Sequence, residues 1–318
     1  MSTEEIRKIK EKYEKQLLDI PGVTGIGLNG SVILYVSKKT AKTMSFIPKT
    51  LDGVPVTVIE TGIIRPLSFP VVSAVYADRT ARYRPMVPGG VSVGAPDITA
   101  GTLTGRLLRK DGIYGLSNSH VLSGAWGTHP ASAVGTPILQ PGIFDGGKPS
   151  DEIGTLEKWI PVKLDEPNLV DAAIFKSDML SEDILDVGKP GQTIEPKAGM
   201  MIKKSGRSSG LTYSRLIDVD ATLRVSGWGE ATFTDVCVAR PANGIPGDSG
   251  SWGGSENDNT FGVLFAGSPE VTIYSKALNV EKLLGGEIIP PLPVLGAKSL
   301  LPWGGVFLGG VVMGMNKH

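Results

Sequence analysis

From residue 96 to about 286 the chain is a succession of short strand-like runs, each closed by glycine, proline or another turn residue. The clearest are Thr102–Leu108, Tyr114–Ser117, Thr136–Leu139, Leu169–Phe175, Met200–Lys203, Leu216–Val225, Ala231–Val238, Phe261–Ala266 and Val271–Tyr274. Sustained helical periodicity is missing from this stretch, so the pattern predicts an all-β architecture of two packed barrels or a sandwich. The 42 glycines and 23 prolines among 318 residues fit many tight turns better than a helical bundle.

Residues 1–65 read differently. Ser2 and Glu5 have capping-box spacing, and Ile6, Ile9, Tyr13, Leu17 and Ile20 recur at helical steps until Pro21-Gly22 stops them. Runs at Val23–Leu28 and Ser31–Ser37 flank Asn29-Gly30, a pair suited to a tight hairpin. A short stretch near Lys39–Met44 is compatible with a helix, and Val54, Val56 and Val58 alternate as on a half-buried strand. The expectation is a small α+β domain over 1–65, a Pro- and Gly-rich connector over 66–95, a β domain over 96–286, and an apolar tail over 287–318. That tail is uncharged from Ser299 to Met315, shorter than the roughly 20 residues a spanning helix needs. Packing against a second copy in a homo-oligomer is the expectation for it, with membrane attachment as the alternative.

Composition narrows the function. Thirty-two Lys+Arg balance thirty-two Asp+Glu, which argues against nucleic acid as a partner, because phosphate binding needs clustered positive charge. The single Cys237 cannot form an internal disulfide and reads as a small core residue on its strand; no Cys/His cluster offers a metal site, and no cofactor is expected. The charged start, MSTEEIRKIKEKYEKQ, is not a secretory signal, and a cysteine-poor chain suits a reducing, cytoplasmic setting; export by another route stays open. The spacing from Gly142 to Lys148 imitates a phosphate loop, but Pro149 stands where a magnesium-binding hydroxyl belongs. Lys203, Lys204 and Arg207 read as a solvated or structural turn rather than an anion site.

Three residues point to chemistry. Ser249 sits in Gly247-Asp248-Ser249-Gly250-Ser251, where flanking glycines permit a sharp turn, an accessible hydroxyl and converging backbone N–H groups. Taken alone this is also an ordinary Gly/Ser turn. A serine nucleophile needs a base, and of three histidines His120 has the apolar, strand-end setting; His129 lies in a Gly-rich loop and His318 is the last residue. Asp171 is a carboxylate inside the apolar run Leu169–Phe175, where its charge requires a hydrogen-bonding partner.

With that order of His120, Asp171 and Ser249, the chain resembles the chymotrypsin/trypsin-like serine peptidase superfamily. Within it the nearest likeness is to bacterial and plant trypsin-like proteins related to the plant narrow-leaf regulator. The residues that carry it are Ser117-Asn118-Ser119-His120-Val121-Leu122, Pro137-Ile138-Leu139-Gln140-Pro141-Gly142, Asn168-Leu169-Val170-Asp171-Ala172-Ala173-Ile174, Lys204-Ser205-Gly206-Arg207-Ser208-Ser209-Gly210-Leu211-Thr212 and the Gly247–Ser251 motif, over about 90–285. The resemblance implies two six-stranded antiparallel barrels, and a serine endopeptidase acting on protein or peptide through an acyl-enzyme. Ser249 would be the nucleophile, His120 the base and Asp171 its orienting acid, and the N–H groups of Gly247 and Ser249 would form the oxyanion hole. Phe265, Ala266 and Gly267 would line the substrate groove, and Asn243 would stand near the base of the specificity pocket, where an acid would select basic side chains. The alternative is a catalytically idle structural or interaction protein on the same fold. Unlike secreted relatives, the chain shows no disulfides and no activation cleavage site and carries an added N-terminal domain, so Asp248 needs a partner other than a freed N-terminus. A ready-formed or assembly-dependent site is expected.

Overall fold

The computed structural model describes residues 2–67, 77–98 and 100–288. The expected tail beyond 288 lies outside the described residues. Within them the fold is mainly β with few helices, as the recurring strand runs lead one to expect.

Six strands close on themselves into a ring-like sheet. Met201–Gly206 pairs with Trp252–Ser255, which pairs with Asn259–Gly267, then Thr272–Lys276, Gly229–Ala239 and Gly210–Gly227, and this last strand returns to Met201–Gly206. All six contacts are antiparallel. Because successive side chains on a strand face opposite ways, Cys237 and Ala239 join Leu216, Phe261, Leu264 and Tyr274 in one core. Val236 and Val238 enter another with Leu223, Phe233 and Phe265. Cys237 is a buried free thiol, and burial pushes its ionisation upward.

A second sheet has the strand order Pro137–Leu139, Glu152–Trp159, Ala173–Lys176, Gly112–Ser117, Gly105–Arg109 and Glu287–Ile288. The last of these comes from the far end of the described chain and pairs with Leu107 and Leu108. Ahead of it lies a helix, Ala277–Leu284, capped by Gly285 at φ +79°, in a region whose pattern predicted only strands. With Val280 and Leu284 its main inward anchors after Ala277, the segment is too short for a helical period to stand out.

The N-terminal helix runs Thr3–Leu18 with the capping box of Ser2 and Glu5 in place. Strands Val23–Leu28 and Val32–Val36 form the hairpin about Gly30, at φ +66°. The helix expected near Lys39–Met44 spans Ala41–Phe46, and Val54–Glu60 lies parallel to the second hairpin strand. These strands are continuous with the ring: Gly25 pairs with Leu223 and Ile26 with Thr222 on the 18-residue strand Gly210–Gly227.

Candidate active site

The register of two strands brings His120 and Asp171 together. Gly112–Ser117 and Ala173–Lys176 are antiparallel neighbours that end at the pair Ser117–Ala173. His120 lies three residues past the end of one, in the one-turn helix Ser119–Leu122, and Asp171 two residues before the start of the other. The expected strand Leu169–Phe175 therefore begins only at Ala173. The preceding residues leave the ladder, which frees the Asp171 carboxylate to reach the histidine.

Both side chains are fully buried. Asp171 Oδ2 accepts a short hydrogen bond from His120 Nδ1, and Oδ1 accepts from the His120 backbone N–H at 3.2 Å. A carboxylate can only accept here, so Nδ1 is the donor of this bond and Nε2 is the ring nitrogen left for other partners. That Nε2 is buried without a hydrogen-bond partner. Two residues fix the loop: Asn118 Nδ2 donates to Asp171 O at 2.7 Å, and Asp171 N–H donates to Ser275 Oγ at 3.3 Å. The ring of Trp126 meets His120 edge to face, 6.3 Å between centroids.

Ser249 reaches the same region from the ring sheet. Gly247 and Gly250 have φ of +95° and +92°, left-handed values that suit glycine on both sides of the serine. Thr102 N–H donates to Ser249 O at 2.7 Å. A Cβ on Gly101 would stand 2.5 Å from Val121, beside His120, and 2.9 Å from Ser249 O, so the serine turn and the histidine helix converge on that glycine. Ser249 is also fully buried, and its hydroxyl donates to Phe265 O at 3.2 Å rather than to His120.

Asp248, the acid beside Ser249, has its partner. Asp248 accepts from Lys204 Nζ at 3.1 Å, both side chains fully buried, and from Ser208 N–H, Ser209 N–H, Ser209 Oγ and Ile245 N–H. Burial pushes the Lys204 ammonium below its usual range, and the charge of Asp248 opposes that shift. Of the two expectations for this turn, solvated or structural, burial favours the second at Lys204, and Arg207 is buried likewise, paired with Asp145. The same pairing makes the Gly142–Lys148 loop a structural element. Of the missed contributors, Asn118 and Lys204 lay inside quoted motifs, but nothing in the sequence says which carboxylate a lysine will meet.

The expected groove residues lie along one strand edge. Arg65–Pro66 pairs antiparallel with it, Pro66 opposite Ala266 and Arg65 opposite Gly267. Phe265 offers its carbonyl to this edge, while its ring packs on Phe233 at 4.5 Å in the core. Asn243 is buried behind Gly244; its Oδ1 accepts from Tyr274 OH at 2.9 Å and its Nδ2 has no partner.

No family model and no curated protein matches the chain. Solved structures do. A glutamic-acid-specific serine protease is similar at 16% identity over 64% of this chain and 100% of its own, with a TM-score of 0.47. Protease A of Thermobifida fusca is similar at 16% over 64% and 98%, TM-score 0.45, and a Nocardiopsis protease at 15% over 64% and 98%, TM-score 0.45. What each of those enzymes cleaves is a property of that enzyme.

Proposed function

We propose that this chain is a trypsin-like serine endopeptidase that hydrolyses protein or peptide substrates through an acyl-enzyme. The observation that carries the reading is the buried His120 ring. Its Nδ1 is held by Asp171 and its Nε2 has no hydrogen-bond partner, while Val121, next to it in the chain, and Ser249 O both lie against Gly101. The kinship with bacterial and plant trypsin-like proteins rests on the sequence motifs quoted above.

In the reaction the Ser249 hydroxyl turns from Phe265 O to His120 Nε2, gives up its proton there and attacks the substrate carbonyl carbon. Asp171 stabilises the imidazolium that forms. The oxyanion is received by the N–H groups of Gly247 and Ser249, a contribution of roughly 3–4 kcal/mol per donor. His120 then protonates the leaving amine, and water activated by the same ring releases the acyl group.

The test is labelling by a fluorophosphonate probe. Wild type should label at Ser249, Ser249→Ala should not, and His120→Ala should label about 10²–10⁴-fold more slowly. The rival reading, an idle scaffold that assembles as a homo-oligomer, is favoured by the Ser249 hydroxyl pointing at Phe265 O. Folded wild type that does not label under native assembly would support it.

A further inference from the structure

Residues 64–67 run through the candidate groove. Besides the strand pairing of Arg65–Pro66, the Leu67 N–H donates to Phe265 O at 3.3 Å. The Leu67 carbonyl accepts from Gly247 N–H at 2.5 Å, the amide assigned above to the oxyanion. The Leu67 side chain is only 6% exposed and packs into the ring core with Leu216, Leu264 and Tyr274. A Cβ added to Gly244 or Gly267 would stand 3.2 Å from its Cδ1, so both glycines leave room for it.

A peptide awaiting attack by Ser249 must meet three conditions. It must add to the strand edge beside the nucleophile, direct a carbonyl oxygen at the oxyanion donors, and lodge the side chain on the acyl side of the bond. Arg65–Leu67 meets the first and third, and for the second its Leu67 carbonyl engages Gly247 N–H, one of the two assigned donors. We propose that residues 64–67 are a tethered occupant of the substrate groove, held in substrate orientation. On this basis the enzyme selects chains with leucine, or an aliphatic side chain of its size, on the acyl side of the bond it cuts. The proposal rests on the peptidase reading and names its substrate class. The physical reason is the lining: Leu67 packs with Leu216, Leu264 and Tyr274, contacts that a charged side chain in its place would make only at the cost of leaving water. A tethered segment competes with free peptide at high effective concentration, which fits a site whose His120, Asp171 and Ser249 are all fully buried.

The experiment compares full-length wild type, Leu67→Gly and the Ser249→Ala blank. The readouts are fluorophosphonate labelling rate and its protection by short peptide aldehydes ending in leucine, arginine or aspartate. Leu67→Gly should label about tenfold faster than wild type or more, because a larger fraction of molecules is open. The leucine aldehyde should protect at concentrations about tenfold lower than the other two, or less. Equal labelling rates in the two proteins, or a leucine aldehyde no better than arginine, overturns the proposal. Circular dichroism checks that the variant folds; if it does not, aldehyde ranking on wild type decides alone. Labelling in neither protein, both folded, sinks the peptidase reading and this proposal with it.

Discussion

Lys204 shows how one side chain can set the state of a site it does not touch. Asp248 adjoins both Gly247 and Ser249, so whatever neutralises its charge also holds the peptide groups around Ser249. Here that partner is internal: a lysine from Met201–Gly206, fully buried against the carboxylate. Asp248 is thus paired without a freed N-terminus. Replacing the lysine leaves a charge in the interior with only neutral donors, a change that costs about 3–5 kcal/mol in buried pairs. Lys204→Met should therefore lower the unfolding free energy measured in urea by an amount of that order and abolish labelling at Ser249. The double variant Lys204→Met/Asp248→Asn should recover part of the stability, since it removes the orphaned charge. If the single variant loses under about 1 kcal/mol, as an exposed pair would, the interior pairing is not what holds the turn.

At the level of elements, legibility followed how local the cause was. The helix Thr3–Leu18 was readable because its cap and its apolar stripe lie within one segment, and the hairpin about Asn29-Gly30 because the turn chemistry is in two residues. His120, Asp171 and the Ser249 motif stood out because each is a polar group in a setting that needs explaining. The start of the strand at Ala173 was not readable. It depends on the chain leaving the ladder to satisfy His120, a contact 51 positions away in sequence. Leu67 gave no signal at all, since an apolar residue in a Pro-rich stretch acquires its role only from the strand edge it joins. The two left-handed glycines of different surroundings test this view of the serine turn. Gly250→Ala would drive a Cβ to 2.1 Å from Thr102 O and 2.3 Å from the Ser117 hydroxyl, separating the turn from the second sheet. Gly30→Ala meets nothing within 4 Å. The first should destabilise by more than about 2 kcal/mol and lose labelling; the second should cost about 1 kcal/mol for its φ and leave labelling intact. Similar losses for both would show that backbone strain alone, and not the packing of the turn, explains the glycines.

For the whole molecule, the seam between the N-terminal strands and the ring holds a buried acid outside the candidate site. Asp218, on Gly210–Gly227, accepts from Tyr35 OH at 2.9 Å and from Asp220 N–H at 2.9 Å. Gly27 makes the approach possible, because a Cβ there would fall 1.5 Å from Asp218 Oδ2. Burial pushes this carboxyl from 3.8 up to about 7, against the hydrogen bonds and the charge of Lys10 that favour ionisation. Between those two values the folded chain keeps a proton that the unfolded chain has released, so stability falls as pH rises through this window and levels off above it. The full loss is about 4 kcal/mol at most. Below the unfolded value both states are protonated and the contribution is complete. Asp218→Asn removes the titration while keeping an acceptor for Tyr35. The difference in unfolding free energy between wild type and this variant should therefore favour wild type most at pH 4 and shift toward the variant by pH 8. Urea unfolding at pH 4, 6 and 8 reads it directly. Parallel curves across that range would mean that the acid at the seam is already ionised in the folded protein. The hydrogen bond to Tyr35 would then join two strand systems around a standing negative charge.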